Sequence, residues 1–299
     1  MQTALLLLPD FALIALGAWL RRAFHLGDHF WTGLEKLVYF ILFPALLFNA
    51  ITRQSFSLAD AGPLATSGLF IMLAGVLLGL LAQLLFRLPA MQFASLFQCA
   101  FRFNSYIALA IAGKLNGGAG IAAMGIMLGV TVPLANIGAV SMLARHGQFG
   151  ILRELIRNPL ILSTVTGFVW AALGLPVADP VRAFLGRLSD ASIALGLMSV
   201  GAALRLRGGL EPHAVPAAVY LMAVKLLALP FVAFGTTALL HLNGLDADTA
   251  LIFATLPVAS SAYILAQRMG GDGAGVAWVI SVTTVLAMIT IPFWLTIAR

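Results

Sequence analysis

Charge is scarce in this chain. Asp, Glu, Lys and Arg make up 9% of its 299 residues, against 61% hydrophobic residues and a mean hydropathy of +1.02. A soluble domain carries roughly 25% charged residues. Too little polar surface is left to face water on all sides, so lipid must be the solvent. Cysteine is nearly absent. Cys99 stands alone inside an apolar run, which excludes an intrachain disulfide and a cysteine-based metal site. The histidines lack metal spacing: His25 and His29 are close, but in a basic interfacial loop, and no metal site is expected. Alternation of apolar and polar residues is missing too, which leaves helices as the way to satisfy the backbone in a bilayer. No basic residue precedes the first apolar stretch, and Arg21-Arg22 follows it, the reverse of a secretory signal. The stretch therefore reads as a retained span.

What is present is a series of long apolar runs. Ten candidate spans can be drawn: Thr3–Leu20, Leu34–Ile51, Pro63–Phe86, Met91–Gly113, Gly118–Leu143, Asn158–Leu175, Pro180–Leu204, Ala214–Leu240, Thr249–Gln267 and Val276–Ile297. Each is near or above the roughly 17 residues that cross a bilayer. The connections are short, and no soluble domain fits between the spans. The net charge of +6 is scattered between them, which argues against a nucleic-acid partner and reads as a topology signal. One set of loops carries Arg21, Arg22, Lys36, Arg87, Arg145, Arg153, Arg157, Arg205, Arg207 and Arg268. The other carries Arg53, Lys114, Arg182, Arg187 and Arg299. The richer set is expected in the cytoplasm, with both termini outside the cytoplasmic membrane.

Two stretches echo each other about 155 residues apart. Ser105-Tyr106-Ile107-Ala108-Leu109-Ala110 precedes Gly118-Ala119-Gly120-Ile121-Ala122. Ser261-Ala262-Tyr263-Ile264-Leu265-Ala266 precedes Gly273-Ala274-Gly275-Val276-Ala277. The basic loop Arg145–Arg157 divides the spans five and five, residues 1–150 and 151–299. An odd number per half inserts the second half upside down, the inverted repeat that many secondary transporters use for alternating access. Chance similarity in a Gly/Ala-rich chain is the competing explanation of the echo.

Several residues could carry chemistry. Arg102 lies about 16 Å into its span at 1.5 Å per residue, and Lys225 and Asp190 fall at similar depths in theirs. A central charge is penalised by at least about 2.5 kcal/mol, so each must face a cavity or a partner. Asp190 can neutralise one cation, and an anionic ligand would balance the other. Arg102 suits a carboxylate because its planar fork can bond both oxygens. Lys225 is a candidate for proton coupling. The alternative is a structural Arg–Asp pair with an otherwise satisfied lysine. Pro257 removes a backbone donor inside the ninth span, and Ser260 and Ser261 offer hydroxyls nearby; an ordinary kinked helix would look the same. Asn104-Ser105 is a polar pair of weak helix preference in the fourth span, equally readable as a packing contact. Asn49, Gln98, Tyr106, Tyr263 and Gln267 could line a cavity or join helices.

A family resemblance covers nearly the whole chain. It is carried by Leu8-Pro9, Gly17 and Arg21-Arg22, then Phe43-Pro44-Ala45-Leu46-Leu47-Phe48-Asn49 and Phe101-Arg102-Phe103-Asn104-Ser105. The second half adds Arg157-Asn158-Pro159-Leu160, Gly201-Ala202-Ala203-Leu204 and Leu256-Pro257-Val258-Ala259-Ser260-Ser261-Ala262-Tyr263-Ile264-Leu265-Ala266-Gln267. In these pieces the chain resembles the auxin efflux carrier family of permeases, relatives of the plant PIN proteins and, more distantly, of bile acid:sodium symporters. The resemblance implies an all-α membrane protein of ten helices in a 5+5 inverted repeat. Spans one, two, six and seven would form a scaffold, and the rest a mobile core. Spans four and nine would be broken, crossing at mid-membrane beside the substrate. It implies transport of organic anions such as malonate-like or malate-like acids or auxin, and a homodimer. One departure is Ala194, where relatives often carry proline, which puts a bend of the seventh span in doubt.

The expected function is therefore a secondary transporter of a small organic carboxylate, working by alternating access. The expected substrate-binding residues are Arg102, Asn104, Ser105, Pro257, Ser260, Ser261, Asn49 and Tyr263, with Asp190 and Lys225 for coupling or charge balance. No cofactor is expected beyond a coupling proton or a sodium ion. The alternative is an ion-coupled symporter of a neutral or bile-acid-like solute. Enzymes fit poorly: Met269 replaces the first glycine of the aspartyl-protease-like run Gly270-Gly271-Asp272-Gly273, and Ser260-Ser261 has no obvious base. A channel would show a filter segment or a charge-repeat sensor, and neither is present.

Overall fold

The computed structural model describes residues 2–53, 58–143, 159–204 and 210–298. The basic loop Arg145–Arg157, and Arg205, Arg207 and Arg299, lie outside the described residues. The described chain is helical. Its elements are α1 (Gln2–Ala23), α2 (Asp28–Ile51), α3 (Leu58–Phe86), α4 (Ala90–Phe97), α5 (Ser105–Leu143), α6 (Pro159–Ala172), α7 (Asp179–Ala203), α8 (Pro212–Leu239), α9 (Gly244–Thr255), α10 (Ser261–Arg268) and α11 (Gly273–Ile297). Among the described residues six helical stretches are long and apolar enough to cross a membrane, and Leu162–Ala172 is a shorter apolar helix. Large apolar side chains such as Leu84, Phe231 and Ile289 are exposed, as lipid-facing residues are.

Several expected spans prove to be interrupted. Met91–Gly113 contains α4, a tight turn at Gln98–Ala100, a non-helical stretch and then the start of α5. Thr249–Gln267 contains the end of α9, a gap at residues 256–260, and α10. Pro257 thus sits in a gap between two helices rather than at a kink inside one. Between the fourth and fifth spans the chain turns at Asn116 and Gly117. Gly117 has φ 57°, a left-handed conformation that glycine adopts without strain. By contrast α7 runs unbroken past Ala194, as its lack of an interior proline permits.

Two further irregularities follow from proline. A proline cannot supply the N–H that the carbonyl four residues earlier expects. Ahead of Pro44 the turn Val38–Leu42 widens, and Phe43 N–H reaches the Val38 carbonyl. Ahead of Pro230 the turn Val224–Ala228 widens likewise, and Leu229 N–H reaches the Val224 carbonyl. The carbonyl that Pro230 leaves open belongs to Leu226. The Trp294 indole N–H fills it at 2.9 Å.

The chain forms two compact units, each assembled from non-contiguous stretches. The first contains residues 1–65, 106–130 and 152–203, hence α1, α2, α6, α7 and part of α5. There α1 and α7 approach backbone to backbone at paired glycines. A methyl group on Gly17 would strike the Met198 carbonyl, and one on Gly201 the Ile14 carbonyl. Arg21 extends this contact by donating to the Ala202 carbonyl at 2.8 Å and pairing with Asp28. Ile51 of α2 packs on Gly167 of α6.

The second unit contains residues 66–105, 131–151 and 204–299. Gly75 and Gly79 of α3 let that helix lie close to Phe97, Ala100 and Phe101 at the end of α4. Polar stitches hold the remaining helices. Ser67 meets Thr236 at 2.9 Å, the Tyr220 hydroxyl donates to the Leu78 carbonyl, and Val258 N–H donates to Thr283 Oγ1. In an apolar surround such short pairs replace the hydrophobic drive that lipid removes.

Candidate functional site

The second unit brings its two helix breaks together. Asn104, the last residue before α5, donates its backbone N–H to the Pro257 carbonyl at 3.0 Å. Both stretches have backbone groups that no helix satisfies, and each supplies a partner to the other. Leu256 is extended, with ψ 141°, so the chain leaves α9 in the direction that a following proline demands. On the other strand of the break, Phe101 and Arg102 N–H both donate to the Gln98 carbonyl, closing the end of α4.

Arg102 is the charge at this meeting point. It is 7% exposed. Its guanidinium donates to Gln98 Oε1 at 3.1 Å, Asn136 Oδ1 at 2.8 Å and Ser261 Oγ at 3.3 Å. These acceptors come from the end of α4, from α5 and from the first residue of α10. Gln98 is itself held: its Nε2 donates to the Ser95 and Ala262 carbonyls, both at 3.2 Å, which turns Oε1 toward Arg102. Asn104, Ser105, Pro257, Ser260, Ser261 and Tyr263 belong to the same unit. Ser260 Oγ is buried and has no hydrogen-bond partner among the described residues. At the start of α10 the Ala262 and Tyr263 N–H groups donate to the Ala259 and Ser260 carbonyls at 3.0 and 3.1 Å, and a helix start carries partial positive charge.

The other expected residues are placed differently. Lys225 is 1% exposed, within the widened turn of α8 in the second unit. Asp190 is an exposed residue of α7 in the first unit. The sequence reading gives it as a countercharge for one of the central cations; three of the Arg102 hydrogen bonds go to neutral oxygens. Asn49 is also in the first unit, where its Nδ2 donates to Ser189 Oγ at 3.3 Å. Its Oδ1 is buried without a partner among the described residues. Tyr106 packs its ring on Phe43 in that unit.

Asn136 is the partner that sequence reading missed. A signal existed: an amide stands three residues after Pro133 in an otherwise apolar run. A polar side chain in such a place needs a partner, but the sequence does not say which. Among the described residues no group of His, Cys, Asp or Glu could hold a metal ion.

Comparison with known proteins fits this arrangement. Residues 145–295 match the family model described as "Membrane transport protein". The chain is 25% identical over 288 residues to an "Uncharacterized transporter" of Methanothermobacter thermautotrophicus, covering 94% of each. It is 28% identical over 147 residues to a "Putative malonate transporter" of Rhizobium meliloti, covering 48% of this chain and 44% of that protein. It is also 28% identical over 147 residues to "Auxin efflux carrier component 7" of Arabidopsis thaliana, covering 48% of this chain and 24% of that protein. The chain therefore spans under half of the malonate relative and about a quarter of the plant carrier in these matches. With a family model matched over half its length, a helical build and apolar membrane-length helices, the chain belongs to the membrane transport protein family as an auxin efflux carrier family permease.

Proposed function

We propose that this permease moves a small organic anion, a mono- or dicarboxylate, across the cytoplasmic membrane. The observation that carries the proposal is the buried Arg102 charge where the two helix breaks meet. A fixed positive charge in a low-dielectric region attracts a carboxylate far more strongly than it would in water. Ser260 Oγ, buried and unpartnered among the described residues, is available to a carboxylate oxygen, and the partial positive charge at the start of α10 favours an anion there. In this reading Asn104, Ser105, Pro257 and Tyr263 shape the same place, and Asn49 is a further candidate substrate-binding residue. The relative named for malonate and the plant carriers named for auxin support a carboxylate.

The transport cycle follows from the same reading. The ten spans form a 5+5 inverted repeat, with both termini outside. The repeat motifs at Ser105 and Ser261 open the helices after the two breaks, which supports pseudo-symmetric halves. Spans three to five and eight to ten form a mobile core that rocks against a scaffold of spans one, two, six and seven, exposing the site alternately. Lys225, buried in α8, is the group for proton coupling, and Asp190 serves charge balance. The protein acts as a homodimer, and its role is transport, not catalysis.

The test is binding to purified protein in detergent. A panel of mono- and dicarboxylates is scanned for thermal stabilisation of the wild type and of Arg102→Gln. One acid should stabilise the wild type and lose its effect in the variant. If no acid stabilises the wild type while a neutral or bile-acid-like solute does, the anion reading is wrong.

A further inference from the structure

The start of α2 repeats a short pattern. His29-Phe30-Trp31 returns seven residues later as Lys36-Leu37-Val38. That interval is close to two helical turns, so each residue lies above its counterpart and the pairs form stripes. Trp31 and Val38 are buried and make the stripe that faces the protein. Phe30 and Leu37 are exposed, and Ile41 continues their line. His29 and Lys36 are exposed as well. The outer surface of this helix start therefore carries an apolar stripe beside a basic one, the pattern of a helix lying at a membrane–water boundary.

The end of α1 has the same character. Trp19 and Phe24 are exposed and meet edge to face, with ring centroids 5.6 Å apart. Arg22 is exposed one turn after Trp19. The Trp31 indole donates to the Leu26 carbonyl at 3.1 Å, which pins the turn between the two helices. Arg21 answers the acidic residues of this corner: it pairs with Asp28 and lies within electrostatic reach of the half-buried Glu35. Among the described residues, Arg22 and Lys36 have no ion pair.

We propose that the α1–α2 corner is a binding surface for an anionic glycerophospholipid. Arg22 and Lys36 hold its phosphate oxygens, His29 adds a donor, and the acyl chains lie along the exposed aromatic and aliphatic side chains beside them. Lys36 stands about 12 Å along α2 from its first residue, at 1.5 Å per residue. Its long stem carries the ammonium back to headgroup level, as lysines near a helix end do. Charge complementarity selects the occupant. Two cations without a carboxylate partner, set among exposed apolar side chains, match a molecule with a phosphate at one end and hydrocarbon at the other. A soluble anion would leave the apolar stripe uncovered. A zwitterionic headgroup would bring a cation of its own toward Arg22.

The experiment titrates delipidated protein in detergent with phosphatidylglycerol, phosphatidylcholine or soluble glycerol phosphate. Native mass spectrometry counts bound lipids and subunits. The wild type should bind phosphatidylglycerol more tightly than phosphatidylcholine, and glycerol phosphate weakly. Arg22→Gln and Lys36→Gln should each lower phosphatidylglycerol affinity about fivefold, the worth of one basic residue near an anionic surface, and leave phosphatidylcholine binding unchanged. Arg22→Lys and Lys36→Arg, which keep the charge, should restore most of it. Arg187→Gln, an exposed basic position on α7, is the control and should bind as the wild type does. Equal affinity of the wild type for the two lipids overturns the proposal, as does a preference that survives in the Arg22→Gln, Lys36→Gln double variant. Glycerol phosphate binding as tightly as phosphatidylglycerol would make the site one for a free phosphate ester and overturn it too. So would a wild type that retains no lipid but forms a dimer that the variants lose, which would give this face to a second copy of the chain.

Discussion

Asn104 and Pro257 are joined by a backbone hydrogen bond of 3.0 Å, so each of the two helix breaks satisfies part of the other. An open backbone group in lipid costs several kcal/mol, roughly. A break in one helix is therefore tolerable where a neighbour supplies the missing partner, here a second break. The polar site exists because the two interruptions coincide, and Arg102 is buried there with its bonds to Gln98, Asn136 and Ser261.

Replacing Arg102 by Gln should weaken carboxylate binding roughly ten- to a hundredfold, the equivalent of about 1.5–3 kcal/mol for a bond to a charged group. Isothermal titration or thermal-shift titration with the best acid of the panel measures it. Transport by the variant in liposomes at the wild-type rate would remove Arg102 from the site.

Ser260 and Ser261 should respond differently to alanine. Ser260 Oγ has no partner among the described residues. Its removal should leave stability within about 0.5 kcal/mol but weaken anion binding several-fold. Ser261 Oγ accepts from Arg102, so Ser261→Ala should lower the melting temperature. Equal stability losses in both variants would contradict this division.

Gly17 of α1 and Gly201 of α7 leave no room for a side chain. Gly17→Leu or Gly201→Leu should each destabilise by about 1–3 kcal/mol through overpacking, because the obstacle is backbone carbonyl and cannot swing aside. Melting in detergent tests this. Gly186→Leu, where nothing lies nearby, is the control and should be close to neutral.

Trp294 and Pro230 should be coupled. Trp294→Phe strips the donor from the buried Leu226 carbonyl and should cost about 1–3 kcal/mol. Pro230→Ala restores a backbone N–H four residues after Leu226, so the same change should cost less in that background. A double-mutant cycle measures the difference, and strict additivity would show that the indole bond matters little.

Lys225→Met keeps the volume of a fully buried side chain while removing its titratable group. If Lys225 couples transport to protons, the pH profile of uptake should flatten without loss of folded protein. An unchanged profile would make the lysine structural.

Composition by itself determined the class of this protein. Nine charged residues per hundred leave no way to build a water-facing surface, and a helical membrane protein is what remains. Prolines 44 and 230 each follow a widened turn, because a missing N–H acts on its own helix, within one turn. The family motifs around Arg102 and Pro257 marked the place proposed for the site. The tertiary structure alone decided partnership. The sequence offers Asp190 as a countercharge for one of the two central cations, Arg102 or Lys225, since opposite charges attract. The fold brings Gln98, Asn136 and Ser261 to the Arg102 guanidinium. Local rules reach about one helical turn. Which dipoles end up around a buried charge depends on how separate helices pack, and residue order does not encode that directly.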